Sequence, residues 1–187
     1  YPCCRQAHNS IDAAFELGKR VPVAKIRKLT AYANRMALEI VGSPIDIRRA
    51  PQTTVQAQFS IPYLVGTALL KGRLTLDDID EPALSDPKVL ALAAITEYKV
   101  DSDSRFPKYF DGEVIVELKD GRIIREREAM NRGSVDRPLT AQDIITKYRD
   151  NAARQVSSAR SLEIEQQVLN LESGSARDLA TCLGRIA

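Results

Sequence analysis

The feature that most constrains this chain is the run from residue 113 to residue 128. Val114, Val116 and Leu118 alternate with Glu113, Glu117 and Lys119, Asp120-Gly121 comes next, and a second short run occupies 123–128. Strict alternation sends one face of an extended segment into a core and the other into water. An Asp-Gly pair between two such segments favours a two-residue hairpin turn in which both positions take positive φ. The expectation is an α+β fold built on a small antiparallel sheet with packed helices.

Helical signals surround this hairpin. His8, Ile11, Phe15 and Gly18 share one side of a helical period, and Gly18 followed by Pro22 supplies a stop, which predicts a helix over 9–17. Residues 21–30 carry Val23, Ile26 and Leu29 among basic residues and read as a strand, while 31–40, rich in Ala, Leu and Met, read as a short helix. Gly42, Pro44 and Pro51 break up the next segment. Ser60-Ile61-Pro62-Tyr63 reads as a helix start, because serine accepts a bond from an orphan N–H and proline is tolerated in the first turn. That helix should end at Gly72, with another from Asp86-Pro87 to Ala94.

Beyond residue 140 the pattern is helical throughout. Thr140 with Asp143 and Ser175 with Asp178 match a capping pattern. Ile144, Ile145, Tyr148 and Ala152 form one stripe, Ile164, Val168 and Leu171 a second, and Leu179, Cys182, Leu183 and Ile186 a third. The change of pattern divides the chain into an α+β unit over 1–136 and a helical unit over 137–187.

Composition narrows the function classes. With 187 residues, 44% hydrophobic and 28% charged, the chain can bury the core of one compact domain or two small ones. Lys plus Arg number 27 against 25 for Asp plus Glu, and a net charge of +2 gives no broad field for nucleic acid or an acidic membrane. The longest apolar runs, 64–70 and 89–95, fall far short of the roughly 20 residues that span a bilayer. Three cysteines, two of them adjacent at Cys3 and Cys4, make a poor disulfide framework, so a reducing cytoplasm is expected. The opening Tyr1-Pro2-Cys3-Cys4 has no secretion-signal character and reads as an internal part of a longer protein.

Few residues can carry chemistry. The chain holds one histidine, His8, and Cys3, Cys4 and His8 lack the paired spacing of structural zinc sites, so no metal is expected. No Gly-rich phosphate loop is present. Two features remain: the polar opening from Tyr1 to His8, and Tyr63 in the first turn of its helix, where orphan N–H groups and the helix dipole favour anions. The plain alternatives are a helix-face histidine bonded to backbone and a half-buried aromatic with a wet hydroxyl. Arg48-Arg49 and Lys25-Arg27-Lys28 read as solvated faces, and Cys182 as a core residue.

At these residues the chain resembles the carboxy-terminal part of the MmgE/PrpD family. The resemblance is carried by Tyr1-Pro2-Cys3-Cys4 with His8, Ile11, Asp12 and Ala13, and by Phe59-Ser60-Ile61-Pro62-Tyr63 with Ala68-Leu69 and Gly72. It continues through Asp86-Pro87-Lys88-Val89, Asp120-Gly121-Arg122, Gly133, Pro138-Leu139 and Lys147.

The resemblance implies a lid domain followed by the last helices of an all-α domain whose main body lies upstream. It implies a lyase or epimerase of 2-methylcitrate dehydratase, cis-aconitate decarboxylase or iminodisuccinate epimerase type. Such enzymes act on a small polycarboxylate without metal or organic cofactor, as homodimers. Tyr63 and His8 then become candidate catalytic residues, and Cys4 and Arg5 candidate substrate contacts. The decarboxylase has histidine where this chain has Cys4, and the Tyr-Pro-Cys-Cys form is more similar to the epimerase-like branch. An isolated fragment of this kind is expected to be inactive. The rival expectation, from another class, is a non-catalytic scaffold or interaction domain that retains only the fold.

Overall fold

The alternating run becomes a hairpin at one side of a mixed sheet. The computed structural model describes residues 1–184; Ile186 of the third stripe lies outside them. Among the described residues, strands β1 (Ile26–Ala33), β2 (Thr96–Val100), β3 (Gly112–Leu118) and β4 (Ile123–Glu128) form one sheet in the order β2-β1-β3-β4. Gly112, Val114, Val116 and Leu118 are buried while Glu113, Ile115 and Glu117 are half-exposed, as the alternation requires. β3 pairs antiparallel with β1 and with β4, and β2 lies parallel to β1. A parallel neighbour needs a long crossover, and residues 34–95 supply it.

The turn differs in kind from a two-residue hairpin. Only Gly121 takes positive φ, at 87°, whereas Asp120 does not. Gly121 N–H donates to the Leu118 carbonyl at 3.0 Å, and Leu118 N–H to the Arg122 carbonyl at 2.9 Å. This closes a three-residue loop in which the left-handed position falls on the glycine. Asp120 instead accepts the Arg122 N–H through its side chain at 3.1 Å.

Helix α1 (His8–Gly18) packs on β3 and β4 and also against a second helix, Ile61–Lys71. Its residues Asn9 to Ala14 and Leu17 are all buried. Two glycines set the approach distances. A Cβ on Gly18 would stand 2.7 Å from the Leu69 carbonyl oxygen. A Cβ on Gly112 would overlap the Asn9 amide and stand 2.6 Å from the Tyr32 carbonyl oxygen. The Asn9 amide uses this space to donate to the Asp111 carbonyl.

The crossover contains more helix than its prolines suggest. Val23–Lys25 form a single tight turn, and strand β1 begins only at Ile26. Ala31 to Ala33 continue that strand instead of starting a helix, because Ala31 is paired with Tyr98 on one side and Val114 on the other. Pairing on both edges overrides the helical propensity of alanine. The helix reduces to α2 (Arg35–Ala37), capped by Asn34, and a π-turn over Leu38–Gly42. Pro44 is the N-cap of α3 (Ile45–Arg49) and Pro51 lies two residues before the Thr53 cap of α4 (Thr54–Gln58), so neither proline interrupts a helix.

Arg48 and Arg49 are not a solvated pair. Arg48 donates to the Ser43 and Ile40 carbonyls at 3.0 Å each, and Arg49 donates twice to the Thr96 carbonyl, at 2.9 and 3.2 Å. Helix α5 (Ile61–Lys71) starts and stops as its sequence indicates: Ser60 accepts the Tyr63 N–H at 3.1 Å, and Gly72 ends it at a φ of 64°. Helix α6 (Pro87–Ala94), capped by Asp86, packs on α5 beside Gly66.

The chain divides into two compact units, Tyr1–Arg137 and Pro138–Ala187. The second contains α7 (Ala141–Ala152), α8 (Ser158–Leu169) and α9 (Ala176–Gly184). Both predicted caps form, Thr140 with Asp143 and Ser175 with Asp178. Arg149 binds Glu165 through two bonds of 2.7 and 2.8 Å, joining α7 to α8, and Cys182 is buried. Ile144, Leu162, Val168, Leu169, Leu171 and Leu183 nevertheless remain exposed. Among the described residues no helix is long and apolar enough to cross a membrane.

The close approach at Gly112 is testable. Gly112→Ala should destabilise the fold by about 1–3 kcal/mol through overpacking against Asn9 and the Tyr32 backbone. A urea melt showing an unchanged midpoint would contradict this packing.

Candidate functional site

One end of the sheet collects most of the polar side chains of interest. The strand register aligns Ala33 with Val100 and with Gly112, and Gly112 with Glu128, so the ends of β1, β2 and β4 and the start of β3 lie side by side. The Asn9 bond to Asp111 brings the amino end of α1 to the same place, and with it the opening segment.

That opening is clamped from two sides. Cys4 N–H donates to the Gln58 carbonyl at 2.9 Å, and the Gln58 amide donates to the Pro2 carbonyl at 3.1 Å. Arg5–Ala7 form one tight turn that runs into α1. On α1, His8, Asp12 and Phe15 are spaced to share one stripe. The Tyr1 ring lies along that stripe, edge-on to His8 at 5.1 Å between centroids and to Phe15 at 5.6 Å. Its hydroxyl donates to the Asp12 carboxylate.

Burial dominates the electrostatics here. Asp12 is 8% exposed, and desolvation holds its carboxyl above the ordinary value, against the opposing pull of the Tyr1 hydrogen bond and the Arg137 and Arg132 guanidiniums. Desolvation and the Asp12 charge push the Tyr1 phenol upward as well. Arg137 also pairs with Glu128, whose carboxyl is likewise raised by burial. Burial pushes the Cys3 thiol up to about 12, which suppresses the reactive thiolate at neutral pH.

His8 is half-buried, and its Nε2 lies 3.3 Å from the Cys3 carbonyl oxygen. A carbonyl can only accept, so a hydrogen bond at this contact requires the ring form that carries its proton on Nε2. Arg5 is exposed, with its guanidinium 4.7 Å over the Phe110 ring. Phe110 in turn meets Phe106 edge-on, and Phe106 lines an open depression of about 430 Å³ together with Asn34, Arg35, Met36 and Asp101. The buried Asn34 amide donates to Gln6 at 3.1 Å, tying this depression to the opening.

Of the residues singled out in the sequence, Cys4, Arg5 and His8 therefore stand together in the clamped opening, and Tyr63 does not join them. Its ring is fully buried, and its hydroxyl shares its one proton between the Asp78 carbonyl at 2.9 Å and the Ala83 carbonyl at 3.1 Å. Burial pushes this phenol up to about 12. The contact fastens residues 78–83 to α5. Sequence reasoning missed the Tyr1–Asp12 pair, for which the shared helical stripe was the available signal, and it missed Asn34, Glu128, Arg132 and Arg137, which carry no local signal. Among the described residues no group of three or more His, Cys, Asp or Glu side chains converges to hold a metal.

Comparison with known proteins gives a consistent outcome. The model of the MmgE/PrpD C-terminal domain matches residues 1–172. Human cis-aconitate decarboxylase is 27% identical over 184 residues, covering 97% of this chain and 37% of that protein. The cis-aconitate decarboxylase-like protein oryM of Aspergillus oryzae is 27% identical over 183 residues, covering 94% of this chain and 37% of its own length. The mouse decarboxylase is 26% identical over 158 residues, covering 82% of this chain and 32% of that protein. The chain spans about a third of the length of these relatives.

Two outcomes are expected. Tyr63→Phe should lower stability by about 1–3 kcal/mol, since it removes the hydroxyl proton shared between the buried Asp78 carbonyl and the part-buried Ala83 carbonyl; an unchanged melting temperature would contradict the bracing role. Asp12 has a folded pKa above its ordinary 3.8, so it binds more protons folded than unfolded. Its contribution is fully present below pH 3.8 and is lost as pH rises through the folded value. The stability difference between the native protein and Asp12→Asn should therefore move in favour of the native protein on going from pH 7 to pH 4, read from denaturant melts.

Proposed function

Because the chain belongs to the MmgE/PrpD family, whose C-terminal domain it carries, we propose that it is the lid and carboxy-terminal part of a lyase or epimerase acting on a small polycarboxylate. The reaction would move a proton at a carbon next to a carboxylate. The observation that carries this reading is the clamped opening, which carries the chain's single histidine, set on the Cys3 carbonyl, and an exposed arginine set over Phe110 near the end of the sheet. The curated relatives, which are cis-aconitate decarboxylases and a decarboxylase-like protein, support the same reaction class.

The chemistry derives from the groups present. Decarboxylation breaks the bond to the departing carboxylate, leaves its electron pair on the adjacent carbon, and ends when an acid protonates that carbon. Dehydration and epimerisation begin with removal of a proton from such a carbon. All three need a positioned group that moves the proton and cations that hold the carboxylates. An imidazole has an ordinary pKa near ~6.5, so His8 is the proton-moving group in this reading, acting through Nδ1. Arg5 offers a guanidinium matched to a carboxylate, and Cys4 lines the approach. Tyr63 is assigned the brace and not the proton.

The exposed apolar side chains of α7, α8 and α9 support the rest of the assignment. Faces of this kind need covering, and upstream helices of the same protein would supply the cover, completing an all-α domain. The whole enzyme is proposed to be a cytoplasmic homodimer with its site closed by the lid, and residues 1–187 alone should show no turnover.

The test is turnover by the full-length protein of cis-aconitate, 2-methylcitrate and iminodisuccinate, with and without His8→Ala. Loss of a positioned acid–base group should lower turnover by ~100-fold or more. A rate unchanged within a factor of about two would remove His8 from the chemistry. No turnover of any of the three would favour a non-catalytic scaffold.

A further inference from the structure

The Tyr1 ring lies against the proposed proton-moving group, and Asp12 holds the hydroxyl of that ring. His8, Asp12 and Phe15 form the stripe of α1 over which the Tyr1 ring is laid. The ring is held at both ends, by its hydroxyl on the Asp12 carboxylate and by its edge contacts with His8 and Phe15. The adjoining backbone is held too, through the two bonds to Gln58. The Cys3 carbonyl that faces His8 Nε2 is part of that same clamped backbone. One face of the imidazole and the partner of one of its nitrogens are thus set by a single folded-back segment.

We propose that Tyr1 and Asp12 are positioning residues for His8. The carboxylate fixes the phenol, the phenol fixes the plane of the imidazole, and the ring keeps Nε2 on the Cys3 carbonyl with Nδ1 as its base. The inference rests on the reading of His8 as the proton-moving group. An 8%-exposed carboxylate with Arg132 and Arg137 near it is an expensive group to bury. A bond that orients a neighbouring aromatic accounts for its presence there. Among the charged and titratable groups facing the pair, Arg132, Arg137 and Glu128 lie around Asp12, and Cys3 lies beside His8.

The test uses the full-length protein and two independent readouts. In long-range proton–nitrogen spectra of histidine-labelled protein, the His8 signals are those missing from His8→Gln. They should report the Nε2–H tautomer in the native protein and a mixture of tautomers in Tyr1→Phe. With whichever of cis-aconitate, 2-methylcitrate or iminodisuccinate is turned over, Tyr1→Phe and Asp12→Ala should each lower kcat about tenfold, with KM unchanged within a factor of about two. The double variant should fall no further than either single one, and Asp12→Asn, which keeps an acceptor for the phenol, should recover most of the loss.

An unchanged tautomer in Tyr1→Phe, or losses that multiply in the double variant, would overturn the positioning role. If His8→Ala abolishes turnover while Tyr1→Phe does nothing, the positioning inference fails alone. If His8→Ala is harmless, the functional reading fails, and the spectra still decide the geometry.

Discussion

Everything at the polar end of the sheet depends on how closely α1 lies against β3. The Asn9 amide reaches the Asp111 carbonyl only because residue 112 has no side chain. That single approach fixes where α1 begins, and therefore where Cys4, Arg5 and His8 stand relative to the strand ends. At its far end α1 meets α5 with similar economy, at Gly18 and the Leu69 carbonyl. The helix is buried between two neighbours and has little freedom to shift without colliding with one of them.

Buried carboxylates mark the loops that had to be shaped without regular structure. Asp78 accepts from Thr75 twice and lies 3.2 Å from Lys71, closing the turn that Tyr63 then fastens to α5. Asp111 is fully buried and accepts the Ser104 hydroxyl at 2.6 Å and the Arg105 N–H at 2.9 Å, which closes the 101–111 loop over itself. In each case the acid serves as a template for backbone and hydroxyl donors, and the nearby cations offset part of the cost of burial.

Local patterns carried the parts of the fold that local forces decide. The alternation in β3, the Ser60 and Asp86 caps, the Gly72 stop and the Thr140 box all depend on residues within a few positions of one another, and all are present as read. The misread segment, 31–40, has an intrinsic preference for helix that pairing to β2 and β3 reverses, and the distant strands leave no trace within that window. The parallel placement of β2 is non-local for the same reason. The candidate site divides along the same line. Cys4, Arg5 and His8 are neighbours in the chain and could be grouped by eye, whereas Arg132 and Arg137 reach Asp12 only through the completed fold. Tyr63 shows the opposite limit: its cap position was correct, but whether a side chain at a helix start faces solvent or core depends on what packs above it, here residues 78–83.

Among the described residues β4 pairs with β3 and forms one border of the sheet, the kind of edge that invites pairing with another extended chain. Its sequence, Ile-Ile-Arg-Glu-Arg-Glu, places Arg125 and Arg127 on the exposed positions of that border. Arg127 is held in place there, its guanidinium donating to the Asp101 carboxylate at 2.8 Å, so a further strand would meet a fixed ion pair and the charge of Arg125. Charge along a sheet border of this kind works against pairing with another extended chain, so apolar replacements at these two positions are the ones that would turn the margin into a seed for aggregation.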